Sequence, residues 1–328
     1  RYRFSEHLSF SWANDGDYGQ FSSNQINNVS PSRISWWSAW AAKYETQSLN
    51  VTAKLLNTRI DNRAKTGTVS VDYNHLSPYI GFSIHPFRKI PVRVRGFYKN
   101  TFRMPTFGDL YYSTVTNVNL KPEKAHQYDL GLTWTAAYGK LFPYIALSSD
   151  LYWYRINDKI VAIPTANMFI WRIRNYGKVT TQGLDLNLTA HIQMSPRFLW
   201  QFNGVYTYQN ALNKTDAQAV TYNKRLPYTT RHSASGYIGL KTPWIEFYYN
   251  LLYCGKRYAS ESNLPESQMK PFAEQGFSIQ KIQSWKNARF TFFAECLNLF
   301  DTQYEVVHSY PMPGRSFRLG VRIETNDK

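Results

Sequence analysis

Apolar and polar residues alternate through most of the chain, and the alternation is clearest around residues 126–135. Every second residue of this stretch has a large, mostly apolar or aromatic side chain, and the residues between them are small or polar. The residues with large side chains are His126, Tyr128, Leu130, Leu132 and Trp134. A period of two indicates a β-strand with two different faces. The same period recurs in about fourteen segments, which predicts an all-β fold of antiparallel strands.

The predicted connections alternate strictly between long and short. We expect long loops at 14–31, 61–68, 100–125, 157–179, 210–231, 255–271 and 301–314, and short turns near 45 and at 86–91, 136–141, 194–196, 241–244 and 284–287. A soluble sandwich has no reason to place every long loop at one end, whereas outer-membrane barrels have short periplasmic turns and long extracellular loops. The pattern therefore favours a transmembrane antiparallel β-barrel, with its apolar face toward lipid.

Composition agrees with a barrel and excludes a helical membrane protein. Hydrophobic residues make up 43% and aromatic residues 17%, yet the mean hydropathy is −0.47. The most apolar run, 34–42, is far shorter than the roughly 18 residues that a spanning helix needs. The remaining alternative is a soluble all-β protein, in which Phe198, Trp200 and Phe202 would lie in a dry core beneath a second sheet.

The chain carries a formal net charge of +16, and its basic residues are dispersed. Arg93 and Arg95 alternate with apolar neighbours and so belong to the polar face. A groove for nucleic acid would need aromatic rings on the same face as the charges, and here the two mostly oppose. We therefore expect no nucleic-acid partner, and a basic interior that attracts an anionic ligand or anionic lipid headgroups.

Catalytic and metal-binding patterns are missing from the sequence. Its histidines are scattered singly, and no GxSxG, HExxH, CxxC, GxGxxG or P-loop motif occurs. Cys254 and Cys296 cannot form a disulfide framework. We predict no enzyme activity, no cofactor and no metal site. Arg1 opens directly into an alternating stretch, so we also expect the chain to begin inside a strand, as a fragment of a longer protein.

Four short motifs occur in the order in which one known family carries them. FRMPTF at 102–107, followed by NVNLKPE at 117–123, resembles the paired FRAP and NPNL boxes of TonB-dependent outer-membrane receptors. NYGK at 175–178 and the ending PMPGRSF at 311–317 are similar to further signatures of that family. The residues that carry the resemblance are Phe102, Arg103, Pro105, Asn117, Asn119, Leu120, Pro122, Pro313, Gly314 and Arg315. We interpret them as fold signatures, with Pro105, Gly108 and Pro122 excluding regular structure between the boxes.

The resemblance implies a 22-stranded barrel with a plugged lumen. Residues 1–328 would then be the C-terminal portion of that barrel and supply roughly its last fourteen strands, without the plug, the TonB box and about eight strands. A complete fourteen-strand barrel, like the fatty-acid transporters, is the alternative architecture.

The resemblance further implies active import of a scarce, bulky ligand across the outer membrane of a Gram-negative bacterium. Its partners would be the TonB complex, through the absent plug, then outer-membrane lipids, lipopolysaccharide and a surface lipoprotein. Haem receptors of the family carry a histidine between the two boxes, and 106–116 contains none. The sequence of residues 159–164 is similar to that of cobalamin receptors, which favours cobalamin (vitamin B12) over a ferric siderophore as the ligand. A passive porin is the alternative function.

Aromatic and basic residues on the predicted loops are the candidate ligand contacts. These are Tyr111, Tyr112, Trp171, Arg172, Tyr222, Arg257, Tyr258 and Tyr310, with Lys224 and Arg225 as further basic candidates. Such residues offer flat apolar surface and positive charge to a bulky ligand.

Overall fold

A computed structural model describes residues 2–22, 30–64, 70–87, 89–111, 117–164, 171–286 and 288–325. The strands are β1 (Tyr2–Arg3), β2 (Leu8–Gln20), β3 (Pro31–Glu45), β4 (Leu49–Ala64), β5 (Tyr73–Ile84), β6 (Val92–Arg103), β7 (Glu123–Tyr138), β8 (Phe142–Pro164), β9 (Trp171–Ser195), β10 (Phe198–Asn213), β11 (His232–Lys241), β12 (Glu246–Cys254), β13 (Arg257–Tyr258), β14 (Gln268–Met269), β15 (Phe272–Trp285), β16 (Ala288–Leu297), β17 (Glu305–Val307), β18 (Tyr310–Pro311) and β19 (Ser316–Thr325). The helix α1 (Phe107–Tyr111) and a 3₁₀ turn (Pro265–Ser267) complete the regular structure of this part of the chain.

Fifteen strands form one antiparallel sheet in chain order, with β1 to β12 followed by β15, β16 and β19. Because β1 has only two residues, the sheet contains the fourteen full strands that the sequence predicts. The pairs β13–β14 and β17–β18 are small separate hairpins within two of the loops. The sheet is open within the described chain, since β1 and β19 are its two edges.

Several strands run further into the long loops than expected, so the predicted alternation of long and short connections is incomplete: β8 ends at Pro164 and β9 begins at Trp171, which makes this connection no longer than the one between Ile84 of β5 and Val92 of β6. The loop predicted to start at Asn14 starts after Gln20, because Asp15 and Asp17 still pair with Trp37 and Ser35 of β3. The sequence loses its period of two there because both faces are wet beyond the membrane, while the backbone ladder continues. The same correction applies to β4, which ends at Ala64, to the adjoining ends of β8 and β9, and to β10, which ends at Asn213.

Strand register places all the predicted apolar faces on one side of the sheet. Leu130 lies opposite Leu151, which lies opposite Leu184, which lies opposite Tyr208. Directly paired residues share a face, so these four side chains form one continuous row. Leu130 is 53% exposed and Leu151 55% exposed, as expected for an outer surface that is covered by acyl chains rather than by protein.

Phe198, Trp200 and Phe202 belong to this outer face, with Trp200 and Phe202 stacked side by side along β10. In the part of the chain that the structure describes, no second extended sheet lies over them. The soluble sandwich is therefore excluded. None of the described helices is long and apolar enough to span a membrane.

The opposite, inner face is polar. Arg95 of β6 and Asp150 of β8 form an ion pair of 2.6 Å across β7, and Asp129 of β7 pairs in register with Phe97 and Tyr152. The two free cysteines lie on opposite faces, because Cys254 pairs with Ser233 on the inner side and Cys296 pairs with Phe317 on the outer side. Buried apolar clusters occur at the end of the sheet that carries the long loops.

Candidate functional site

The segment between the two boxes, called here the box segment (residues 104–111 and 117–122), begins where Pro105 ends the β6–β7 ladder. Thr106 caps the following helix: its Oγ1 accepts from the backbone N–H of Asp109 at 3.0 Å, and its own N–H donates to the Asp109 carboxylate at 2.9 Å. This reciprocal pair is a capping box and nucleates α1. The prediction that no regular structure forms here is therefore wrong over Phe107–Tyr111.

The box segment crosses the inner side of the curved sheet. Leu110, Tyr111 and Leu120 are buried together, and they pack against Phe21 after β2 and Ile173 of β9. Six strands separate β2 from β9 in the sheet. A segment that contacts both must therefore span the mouth of the curved sheet rather than follow its rim.

Polar contacts fix the box segment at both sides. Arg33 on the inner face of β3 donates from Nη1 to the Pro105 carbonyl at 2.8 Å and from Nε to Asn62 at 2.8 Å. On the β9 side, Asn175 accepts from the Lys121 N–H at 2.8 Å and donates to the Lys121 carbonyl at 2.9 Å. Asn117 donates to the carbonyl of Ile173 at 3.2 Å.

The 214–231 loop also folds inward. Leu226 is buried against a patch on the inner side of four consecutive strands, formed by Ala125, Ile156, Val179 and Ala211. Its N–H donates to the carbonyl of Ala211 at 3.2 Å. The guanidinium of Arg225 lies 4.8 Å from the centroid of the Tyr258 ring, which joins this loop to the next.

Arg257 connects the last two long loops. Its guanidinium donates to the carbonyl of Lys270 at 3.3 Å and to the carbonyl of Glu305, and lies 5.3 Å from the centroid of the Phe272 ring. Phe272 in turn stacks on Tyr304 with 4.1 Å between ring centroids. Arg257 is only 3% exposed, and its guanidinium is used for contacts that hold the loops together.

Between these loops and the extended end of β8 lies a cavity of about 450 Å³, called here the mouth cavity. Its walls are mainly apolar, and they include Val161, Ile163, Leu226, Tyr228, Phe272 and Val306. Lys159, Cys254 and Arg257 also line it. Burial raises the pKa of the Tyr228 hydroxyl, and this effect outweighs a hydrogen bond with the backbone of His308 and the charge of Arg257, which both lower it.

The predicted contact residues are dispersed over the loop end. Tyr111 is 3% exposed and packs on Phe21 and Phe107, and burial raises the pKa of its hydroxyl; contact between a ligand and this ring would require the box segment to move. Arg172 and Tyr310 are exposed. Tyr222 lies 5.2 Å from the ammonium of Lys214.

Among the eight candidates, Arg257 alone is described on the wall of the mouth cavity. Tyr112 lies outside the described residues, as does the side chain of Trp171. The sequence does not predict that the other lining residues share a site, because they come from four segments that are far apart in the chain. The alternation of Val161 and Ile163 was the available signal.

Several of the motif residues contact the loop bases and the box segment. Pro105 and Leu120 are buried, and Arg103 pairs in register with Glu123 at the base of the box segment. The base of the last loop is closed by the backbone N–H of Arg315, which donates to Asp301 at 2.8 Å, and by Asn298, which donates to the Pro313 carbonyl at 3.3 Å. In the described ranges, no three metal-ligating side chains form a cluster.

Two solved structures that share this fold are described as metal transporters. The chain superposes on the FrpB iron transporter from Neisseria meningitidis with a TM-score of 0.70 at 14% identity, covering 97% of this chain and 53% of that one. It superposes on the copper transporter OprC with a TM-score of 0.75 at 13% identity, covering 97% and 54%. The chain thus spans about half the length of these relatives.

Sequence comparison gives a curated relative and a family. The chain is 28% identical over 85 residues to the vitamin B12 transporter BtuB of Vibrio vulnificus (strain YJ016), which covers 26% of this chain and 13% of that protein. Residues 41–299 match the family model described as TonB dependent receptor-like, beta-barrel. That match covers most of the chain and agrees with the barrel wall, the box motifs and the inward loops. The chain therefore belongs to the TonB-dependent receptor β-barrel family and is not an enzyme.

Proposed function

We propose that this chain is the C-terminal barrel portion of a receptor that imports a scarce, bulky ligand across the outer membrane of a Gram-negative bacterium. Transport would be driven by the TonB complex through a plug domain outside the 328 residues. The observation that carries the proposal is the inward fold of the long loops, because the box segment and the 214–231 loop narrow the mouth around a cavity.

Cobalamin is the proposed ligand, ahead of a ferric siderophore. The similarity to the BtuB vitamin B12 transporter supports this choice, and so does the sequence of residues 159–164. This segment adjoins the mouth cavity. Tyr222, Tyr258, Tyr310 and Arg172 are proposed contacts, because aromatic rings and positive charge suit a large polar ligand.

Uptake by cells tests this function. A strain that lacks its own cobalamin and siderophore receptors should, when it expresses the full-length protein, accumulate radiolabelled cyanocobalamin, and deletion of TonB should abolish accumulation. If the cells accumulate a ferric siderophore instead, the proposed ligand is wrong and the proposed TonB-driven import stands. Accumulation that is independent of TonB, with steady ion conductance of the purified protein in planar bilayers, would support a passive porin and overturn the proposal.

A receptor in the outer membrane would also have lipid and protein partners. The apolar outer face would be covered by outer-membrane lipids and lipopolysaccharide. A surface lipoprotein would dock on the exposed tips of the long loops, and crosslinking from Tyr310 in intact cells would identify it.

A further inference from the structure

We propose that the lipid-facing wall of β7, β8 and β9 carries a binding site for a phosphorylated glycolipid of the outer leaflet, the diphosphorylated lipid A that anchors lipopolysaccharide. The charged part of this site, called here the basic patch, consists of Lys124, Arg155 and Lys178. The inference rests on the proposed function, which turns the long loops toward the cell exterior, and it adds a defined site to the barrel wall. It concerns a lipid that stays in the membrane and not the ligand that is imported.

The register of the sheet directs the basic patch outward. Ala125, Ile156 and Val179 pair with one another across β7, β8 and β9, and they are buried together on the inner side of the sheet. Each member of the basic patch directly adjoins one of these residues in sequence. Because successive side chains of a strand point to opposite faces, all three cations lie on the outer face.

The basic patch lies at the level of the lipid headgroups. Tyr128 and Trp153, with 5.3 Å between ring centroids, belong to an upper aromatic girdle, and Trp134 and Tyr138, with 6.3 Å, belong to a lower one. At about 3.3 Å per residue and a tilt of about 45°, Tyr128 and Tyr138 differ in height by about 23 Å, close to the apolar band of a barrel, about 25 Å. The same geometry places the basic patch about 5 to 9 Å above the upper girdle.

The residues in register with the basic patch leave its charge uncompensated. Asn157 pairs with both lysines of the patch, and His126 and Thr180 pair with its arginine. Within the described part of the chain, no ion pair or side-chain hydrogen bond involves any of the three cations. The two lysines lie on either side of Asn157, about 10 Å apart along the sheet. Such a spread of cationic donors suits a headgroup with two phosphates, whose anionic oxygens accept strong hydrogen bonds.

An apolar groove of about 470 Å³ lies directly below the basic patch, with Leu151 and Leu184 among its lining residues. The upper girdle is interrupted at the top of this groove, because Trp153 pairs with Gln182, which pairs in turn with Asn210. An acyl chain can therefore pass from the patch into the groove and bury its apolar walls. Cations above an apolar groove suit a phosphorylated lipid, whereas free phosphate would leave the groove unused.

The experiment measures lipid binding by the full-length receptor, purified in a nonionic detergent and freed of lipopolysaccharide, using native mass spectrometry. The receptor should bind diphosphoryl lipid A about tenfold more tightly than monophosphoryl lipid A or phosphatidylglycerol, because each of these lacks one phosphate. Combining Lys124→Gln, Arg155→Gln and Lys178→Gln should weaken binding of diphosphoryl lipid A by about a hundredfold. Lys140→Gln is the control, because this exposed lysine lies in the short turn at the other end of the β7–β8 hairpin, and it should leave binding unchanged.

Gln182→Trp extends the aromatic girdle across the top of the groove and should weaken binding of diphosphoryl lipid A by about fivefold. Equal dissociation constants for the parent and the triple variant would overturn the proposal. Tighter binding of phosphatidylglycerol than of lipid A would also overturn it, since the patch would then hold a phospholipid. A loss in Lys140→Gln as large as that in the triple variant would overturn it too, because any surface charge would then serve.

Binding in detergent requires no transport, so this site and the proposed function can fail separately. A receptor that binds lipid A through the basic patch but imports nothing would refute the proposed function and leave the lipid site standing. A receptor that imports its ligand, and whose triple variant binds lipid A as the parent does, would refute the lipid site alone.

Discussion

The guanidinium of Arg33 lies 4.9 Å from the centroid of the Phe107 ring. The same group donates to the carbonyl of Pro105, so one side chain of the barrel wall holds both the start of α1 and the residue that ends the ladder before it. This contact fixes the box segment across the mouth from the β3 side.

Arg33→Ala should loosen the box segment without unfolding the barrel. Loss of a cation–π contact and a charged hydrogen bond costs about 2 kcal/mol locally, or about a thirtyfold rise in the open population. Limited proteolysis of intact cells should then cleave within 104–122. Lys43→Ala serves as the control, because Lys43 lies on the inner face at the other end of β3 and pairs with Glu45. Equal protection of both variants would show that Arg33 does not hold the segment.

Asn175 should protect the backbone of the box segment on the β9 side. The Lys121 amide donates to Asn175, so Asn175→Ala should raise hydrogen exchange at Lys121 by about tenfold, the effect of losing one hydrogen bond of about 1.4 kcal/mol. Exchange is measured by mass spectrometry on the detergent-solubilised receptor. Asn119→Ala changes the exposed asparagine of the second box and should leave Lys121 unaffected; a similar rise in both variants would contradict the assignment.

The two faces of β12 should respond differently to charge. Leu251 lies on the outer face near the middle of this strand, and Asn250 lies on the inner face beside it. Leu251→Arg should destabilise the inserted protein by about 2–4 kcal/mol, because arginine at the bilayer midplane is costly on the lipid side. Asn250→Arg, opposite Gly276, should cost far less. Urea titration of refolding into lipid vesicles measures both, and a reversed order would mean that the faces are assigned the wrong way round.

Tyr304 should make the last loop sensitive to alkaline pH. Burial raises the pKa of its hydroxyl to about 12, and the hydrogen bond to Glu274 and the charge of that carboxylate act in the same direction. The folded state therefore favours the neutral phenol. This stabilisation is complete below about pH 10, the pKa of an unfolded tyrosine, and is lost as the pH rises toward 12.

The measurement is the thermal unfolding midpoint at pH 8, 10 and 12. Tyr304→Phe should unfold earlier than the parent at pH 8, and the difference between the two should shrink by pH 12. Tyr310→Phe changes an exposed ring of the same loop and is the control. A difference that stays constant with pH would show that ionisation of Tyr304 does not contribute.

The barrel wall follows from the sequence because lipid imposes a strict rule on it. Each side chain of a spanning strand faces either acyl chains or the lumen, so Leu130 and Asp129 reveal their faces by type alone. Strand ends are not predictable in the same way, since Asp15 and Asp17 keep their backbone pairs without any apolar face. The sequence does not predict α1, because Pro105 and Gly108 indicate a break, although Thr106 and Asp109 form the capping pair that starts the helix.

The mouth cavity could not be predicted for a different reason. Lys159, Tyr228, Cys254 and Val306 come from separate connections, and only the curvature of the sheet and the inward fold of the loops bring them together. Tyr111 and Arg257 have the residue types expected of ligand contacts. However, residue type does not show whether an aromatic ring or a cation contacts a ligand or instead holds loops together. That distinction depends on burial, which lies beyond a sequence pattern.

The β8–β9 hairpin is longer than a membrane requires, and this has an immunological consequence. With 25 residues in β9, a strand that rises about 3.3 Å per residue and tilts by about 45° covers nearly 60 Å of height. The hydrocarbon layer accounts for about 30 Å of it. Much of the hairpin therefore stands above the bilayer, and an antibody raised against its upper part should bind intact cells that carry the protein.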